Sequence, residues 1–490
     1  MSLQVITTPY GRAASEALRG EIARAKQESP LAPVTVVVPG NSVGVAVRRR
    51  LASGALGPVS SVGSGLIGVN FLTASRLAEL LAAPRLAARK RRPVSPPVVA
   101  AAVRRVLATA AGMFASVATH PATEEALVAA VWELSDLDDA ALDLLGAQSE
   151  RAREVVRIHQ VVKELLAPAW YDEHDLMRAA CDVVSEGGAL VAELGTLVYH
   201  LPQRTTAPVA RLLRTIAERN ELVVIAALTG APKADAEVIA GIERLGGAID
   251  PEQAGVTPAV GTAVCSASDA DDEVRVVVRG IVDAMREGVP LERMAVVFGN
   301  AEPYARLLHD HLELAGIAHN GVSVRTLADS VLGRSLVRLL ALADDDFRRE
   351  DVCALMAGAP LLDGRGQLVP AAAWERISRD AGVVGGVAQW NARLERYVNA
   401  QAPNSDDDGA VAHAEAERAR AAGLQRFVER LAADLEGAPA SWRELAGWAR
   451  GLVSRWIGDE DARATWTPFE REAARRVDAA LERLGGLDAV

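Results

Sequence analysis

Lysine is nearly missing from this chain: only Lys26, Lys90, Lys163 and Lys233 occur, so its positive charge is carried almost wholly by arginine. Basic excess is missing too. Lys and Arg total 53 against 64 Asp and Glu, a formal net charge of −11, which excludes a general coat for nucleic acid or anionic lipid but leaves room for a local basic groove. Aromatic residues are 4% of the chain, so its cores must be built from Ala, Val and Leu. Cys181, Cys265 and Cys353 lie far apart with no CxxC spacing, which excludes a disulfide framework or a local zinc site and fits a reducing, cytoplasmic setting. No run approaches the roughly 18 uninterrupted apolar residues of a membrane span, and no charged segment followed by an apolar one marks the N-terminus as a signal. Histidines show no HExxH or comparable spacing. His309 and His311 flank one residue and do not share a helix face, so these two, with His120, His159, His174 and His319, read as surface or packing residues.

What is present is an alternation. Half of the 490 residues are hydrophobic, enough for large cores in three or four domains. Leu3–Thr7 reads as a strand, Thr8-Pro9-Tyr10-Gly11 as a turn, and a helix capped by Ser15 follows to Gln27. Val34–Val38 reads as a strand buried on both faces, Pro39-Gly40-Asn41-Ser42 as its loop, and Val43–Ala52 as its helix. A third strand, Val69–Leu72, leads to a helix over Ser75–Ala82. Such strand–helix alternation predicts a doubly wound parallel sheet with its loops at the carboxyl edge. From Pro97 to Val184 the pattern is helical, and Thr196–Tyr199 and Leu222–Ile225 read as the chain's return to that sheet. The segment Gly241–Gly261 reads as a linker. A second unit follows, with strands expected at Val264–Ser266, Met294–Phe298 and Gly321–Val324 and helices at Asp271–Arg286 and Tyr304–Ala315. From Ser330 the sequence is helical again, broken by a polar loop at Asn404–Gly409. The acid run Asp344-Asp345-Asp346 with Glu350 and Asp351 reads as solvation and capping, because consecutive acids on a helix point in different directions.

This order of α/β, helical insert, α/β, helical insert resembles the superfamily 1 (UvrD-like) helicase fold. Locally it looks most like the AddB-type helicase–nuclease subunits, in particular the actinobacterial PD-(D/E)XK nuclease family. The resemblance implies an α/β, P-loop NTPase-like parallel sheet with helical insertions. A first α/β domain is expected over 1–112 plus 185–235 and a helical insertion over 113–184. A second, incomplete α/β domain is expected over 262–340 and a second insertion over 341–490. The family's phosphate loop, close to G-R-A-G-S-G-K-T, falls on Gly11-Arg12-Ala13-Ala14-Ser15-Glu16-Ala17-Leu18, where Ala17 stands at the lysine position, Leu18 at the metal-ligand position, and Glu16 puts negative charge where phosphates would sit. An ordinary βα turn that never held phosphate is the other reading. The Asp-Glu pair expected at the end of the return strand is replaced by Tyr199-His200-Leu201-Pro202-Gln203, and Ala226–Gly230 lacks the glutamine expected there. Both losses predict no ATP hydrolysis, and neither a cofactor nor a metal site is expected anywhere in the chain.

The same resemblance implies contact between single-stranded DNA phosphates and Asn41, Ser42, Thr73, Ser75 and Arg76; Ser42 and Ser75 could equally be plain N-caps. Arg85, Arg89, Lys90, Arg91 and Arg92 crowd five cations between Pro84 and Pro93. A phosphate backbone or an acidic partner would relieve their repulsion, as would acids elsewhere on this chain. The chain ends in helical sequence at Gly485–Val490, so the resemblance implies that the second sheet is incomplete and the nuclease part is not included. The function expected is that of an inactive helicase-like DNA-binding scaffold in double-strand-break end processing. Its partners would be single-stranded DNA or DNA ends and a helicase or nuclease subunit, with no membrane. A nucleotide- or sugar-nucleotide-dependent enzyme on a similar sheet, and a non-functional remnant, are the competing readings.

Overall fold

Apolar strands without alternation need cover on both faces, and the chain supplies it from two layers of helices. The structure, a computed structural model, describes residues 3–60, 63, 65–249, 256, 263–321, 324, 326–400, 408–437 and 439–489. They fall into two compact units, residues 1–262 and residues 263–489.

The strands of the first unit are β1 (Leu3–Pro9), β2 (Val34–Val37), β3 (Val69–Leu72), β4 (Arg92–Pro93), β5 (Trp170–Tyr171), β6 (Thr196–His200) and β7 (Leu222–Leu228). Five of them form one parallel sheet in the order β1-β7-β6-β2-β3, while β4 and β5 pair with each other alone. Val36 pairs with Val198, and Tyr199 with Val224, so the return strands join the same sheet as the opening ones. Side chains alternate between two cores. Val36, Val38, Val198, Val223, Ile225 and Ala227 face the helices Arg12–Ala25 and Asn41–Ala52 through Leu18, Ile22, Val47 and Leu51. Val37, Leu197, Tyr199, Leu222, Val224 and Ala226 face the opposite layer through Leu77, Leu81, Met177, Leu213 and Ile216.

The boundaries of the helical insertion differ from those read in the sequence. The helix Glu173–Glu186 packs its buried residues against the sheet's helical layer, whereas Pro96–Ala110 packs against Pro121–Leu134 and Glu150–Leu166. The reason is the short β4–β5 pairing, which ties the two ends of the insertion together and which no periodicity in a two-residue strand announces.

Two details lock the first sheet. Lys26 is buried, and its ammonium donates to the carbonyls of Pro30, Ala32 and Ile67 at 3.1, 2.7 and 2.7 Å, so all three protons are used within the loops before β2 and β3. Gly195, at φ +63° just before β6, lies so close to Pro33 that an added Cβ would stand 1.9 Å from that carbonyl oxygen.

In the second unit no strand pairs with another among the described residues; only an isolated bridge, Leu362 to Leu368, occurs. This corrects the second sheet expected over 262–340. Val264–Ser266 and Met294–Phe298 form no strand, and Val264 and Val297 are fully or almost fully exposed. The expected strand Gly321–Val324 lies partly outside the described residues. β-type composition without a neighbouring strand leaves the backbone groups unpaired, so local preference alone builds no sheet. The helices Ala270–Arg286 and Tyr304–Leu314 pack together, and from Val331 the unit is a helical core around Trp374, Trp390, Phe427 and Trp456. The ring of Phe427 sits 5.1 Å from Trp374 and 5.2 Å from Trp456. Of the linker at Gly241–Gly261 and the loop at Asn404–Gly409, most residues lie outside those described.

Gly195→Ala is expected to destabilise the first unit by about 3 kcal/mol or more, because it combines a strained backbone with a clash against a carbonyl that cannot rotate away. The midpoint of urea unfolding measures it, and an unchanged midpoint would contradict this packing.

Candidate nucleic-acid interface

Because all five strands run the same way, the loops that follow them share one edge. Helices Arg12–Ala25, Asn41–Ala52, Ala74–Ala88, Ala207–Ala217 and Pro232–Arg244 all begin there. Each such start presents unpaired N–H groups and the positive end of a helix dipole. The first four carry no acid in the first turn.

The half of this edge near β1, β7 and β6 is closed after β6 and β7, where loop side chains bond back to the chain, while Tyr10, Gly11 and Arg12 after β1 are exposed. The stretch matched to the phosphate loop is a helix: only Tyr10 and Gly11 separate β1 from a helix that starts at Arg12. Gly11 takes φ +93° at this turn. Ser15 is therefore not an N-cap. It sits one turn inside, its hydroxyl donating to the Gly11 carbonyl at 3.1 Å. Leu18 is fully buried in the core, Ala17 packs beside it, and the exposed Glu16 pairs with Arg12 at 2.7 Å. The run from Ala13 to Leu18 holds no glycine to keep a wide loop open, so it winds into helix instead of a cradle.

At the end of β6, where the acid pair was expected, His200 is fully buried, and neither ring nitrogen meets a hydrogen-bonding group among the described residues. Burial lowers its pKa to about 4, which keeps the imidazole neutral. Leu201 follows with φ +55°, a strained backbone for a bulky residue. The loop then folds back: Thr205 Oγ1 lies 3.1 Å from the Tyr199 hydroxyl, and the Thr205 carbonyl accepts from Arg244. After β7, the buried carboxylate of Asp235 accepts from Thr229 N, Thr229 Oγ1 and Gly230 N at 2.8, 2.8 and 2.9 Å. Tyr10 reaches this corner; burial and then the charge of Asp235 push its phenol upward. These contacts were not foreseen from the sequence. The signal for Asp235 was there, since Pro232 marks a helix start and an acid three residues on suits a first turn.

The half near β2 and β3 is open. Gly40 caps the helix Asn41–Ala52 without a side-chain bond, and Asn41 and Ser42 are exposed. On the neighbouring strand, Thr73 is the true N-cap, accepting from Arg76 N at 3.3 Å. Ser75 donates to Glu173, and Arg76 pairs with Glu79, its side chain still 67% exposed. The structure thus brings Asn41, Ser42, Thr73, Ser75 and Arg76 to one edge and shows that neither Ser42 nor Ser75 is an N-cap.

The basic run does not join them. The 15-residue helix Ala74–Ala88 carries it roughly 20 Å along the axis, away from the edge where that helix begins. Most of its charge is met within the chain. Arg85 pairs with Glu186 at 2.6 Å; Arg91 donates to the Trp170 carbonyl and pairs with Asp175; Arg92 stacks 4.4 Å above the Trp170 ring. Arg89 and Lys90 are exposed. The repulsion inferred from sequence is relieved by acids that only the fold brings near.

Among the described residues, no three His, Cys, Asp or Glu side chains at this edge come close enough to share a metal ion. No described helix is long and apolar enough to cross a membrane. No family model matches the chain, and no curated protein matches it.

The neutral burial of His200 has a measurable consequence. A histidine whose folded pKa is depressed stabilises the fold above its unfolded value, near 6.5, and that stability is lost as pH falls toward about 4. The difference amounts to about 3 kcal/mol. His200→Leu should therefore remove about that much of the pH dependence of unfolding between pH 7 and 4. Identical pH profiles for the two proteins would show that His200 is not buried neutral.

Proposed function

We propose that the first unit is a non-hydrolysing, helicase-like DNA-binding module that holds the phosphate backbone of single-stranded DNA across the carboxyl ends of β2 and β3. The reading places it as a scaffold beside a partner helicase or nuclease subunit in the processing of broken DNA ends, on a sheet of P-loop NTPase type. The observation that carries it is the contrast between the two halves of the edge. The open half offers two neighbouring helix starts free of first-turn acids, with exposed Asn41, Ser42 and Arg76. Main-chain N–H groups, short polar side chains and one guanidinium are what phosphate oxygens accept from, and they carry no base information.

The closed half argues against catalysis. Phosphoryl transfer depends on fixed positive charge and a held metal ion, and here the corresponding positions are Ala17, Leu18 and the neutral His200. DNA-stimulated phosphate release from ATP is expected to stay at the background of the assay. Turnover that persists through further purification would sink this part of the reading.

Fluorescence anisotropy at low salt tests the binding. Two unrelated single-stranded oligonucleotides should bind with similar, salt-sensitive affinity. Ser42→Asp sets a negative charge at a helix start without removing a packing contact, and together with Arg76→Glu it should weaken binding roughly tenfold. The pair Arg89→Ala and Lys90→Ala, off this edge, should change affinity less. No binding at low salt, a strong preference between oligonucleotides, or indifference to the Ser42 and Arg76 changes would contradict the proposal.

A further inference from the structure

The second unit holds a cluster of nitrogen and oxygen donors that takes no part in the DNA reading. His309 and Glu313 stand four residues apart on the helix Tyr304–Leu314, so both side chains leave the same face. The helix ends at a turn in which Gly316 takes φ +65° and the Ile317 amide donates to the Leu312 carbonyl at 2.9 Å. Ile317 is buried there, and the reversal returns His319 to the face that His309 and Glu313 occupy. His309 Nδ1 lies 3.1 Å from His319 Nε2, with the rings edge to face. One donor atom from each of His309, Glu313 and His319 lies within 4.8 Å of the other two.

The orientation of His319 is set from behind. Its Nδ1 is 3.0 Å from the Ile317 carbonyl, which can only accept, so Nδ1 carries the proton and Nε2 keeps its lone pair toward His309 and Glu313. A backbone carbonyl that holds one ring nitrogen so that the other can ligate is the usual outer support of a metal-binding histidine.

We propose that His309, Glu313 and His319 bind one divalent transition-metal ion of the zinc class. Two imidazoles and one carboxylate suit zinc and its neighbours, whereas calcium and magnesium ask for an all-oxygen shell. Donors about 2.0–2.2 Å from a tetrahedral zinc ion stand roughly 3.3 Å apart, so small side-chain rotations close this cluster onto an ion. Glu313 and His319 are exposed, so the remaining coordination position opens to solvent and takes water or a group from outside the chain. The ion would also tie the segment after Leu314 to the helix.

The test uses the full chain stripped with a chelator and titrated with Zn²⁺ against a chromophoric competitor, with Co²⁺ absorption as a second reading of the geometry. Wild type should take up one equivalent. His309→Ala and His319→Ala should lose it, and Glu313→Gln should weaken it at least roughly tenfold, since even outer supports of a metal site are worth that much. His413→Ala, an exposed histidine elsewhere, should behave as wild type. Should a variant fail to fold, the wild-type chain still decides the matter: Zn²⁺ should protect His309 and His319 from diethyl pyrocarbonate while His413 keeps reacting. No bound equivalent in wild type, an equivalent that survives both histidine changes, or no protection would overturn the proposal.

Discussion

Burial of the parallel sheet on both faces is the constraint on which the first unit depends. A strand such as β7, whose seven residues are all buried, can exist only between two helical layers. That requires crossover helices on each side, and it requires the chain to come back after its long helical excursion, because β1 pairs with β7 and β2 pairs with β6. The same demand places every strand-to-helix loop at one edge. The locks at Lys26 and Gly195 follow from it: strands in this register bring loop carbonyls so close together that only an ammonium group, in one place, and a missing side chain, in the other, fit between them.

Once the loops share an edge, small differences in their chemistry divide it. After β6 and β7 the side chains turn inward and satisfy one another, Asp235 with Thr229 and Gly230, Thr205 with Tyr199, while His200 is buried neutral at the end of β6. After β2 the helix start carries no side-chain cap, and after β3 Thr73 caps the helix start while the Arg76 side chain stays exposed. A helix start without a side-chain cap leaves its first N–H groups to acceptors from outside the helix. The strained backbone at Leu201 belongs to the closed half, where the hydrogen bond from Leu201 N to the Ile225 carbonyl holds it in place. The second unit obeys a different constraint: its large aromatic residues gather in one helical core, so aromatics that are scarce in the chain as a whole are concentrated where helices must pack without a sheet.

From the sequence alone, the apolar, non-alternating runs Val34–Val38 and Leu222–Ile225 determined a parallel sheet covered on both faces, and the short loops after each strand determined that candidate residues would share an edge. Those features depend on neighbours in sequence, so local periodicity carries them. Tertiary structure alone decided the rest. Whether Arg85, Arg91 and Arg92 were free cations depended on Glu186, Asp175 and Trp170, which lie some 80 to 100 residues away. Whether Gly11–Leu18 formed a loop or a helix depended on Leu18 having a core to enter. The expected strands at Val264–Ser266 and Met294–Phe298 have no partner among the described residues, and a strand's stability lies in its neighbour and not in its own residues. His309 and His319 carry no motif spacing; their meeting with Glu313 depends on a reversal at Gly316, a conformation that the identities of the three residues do not encode.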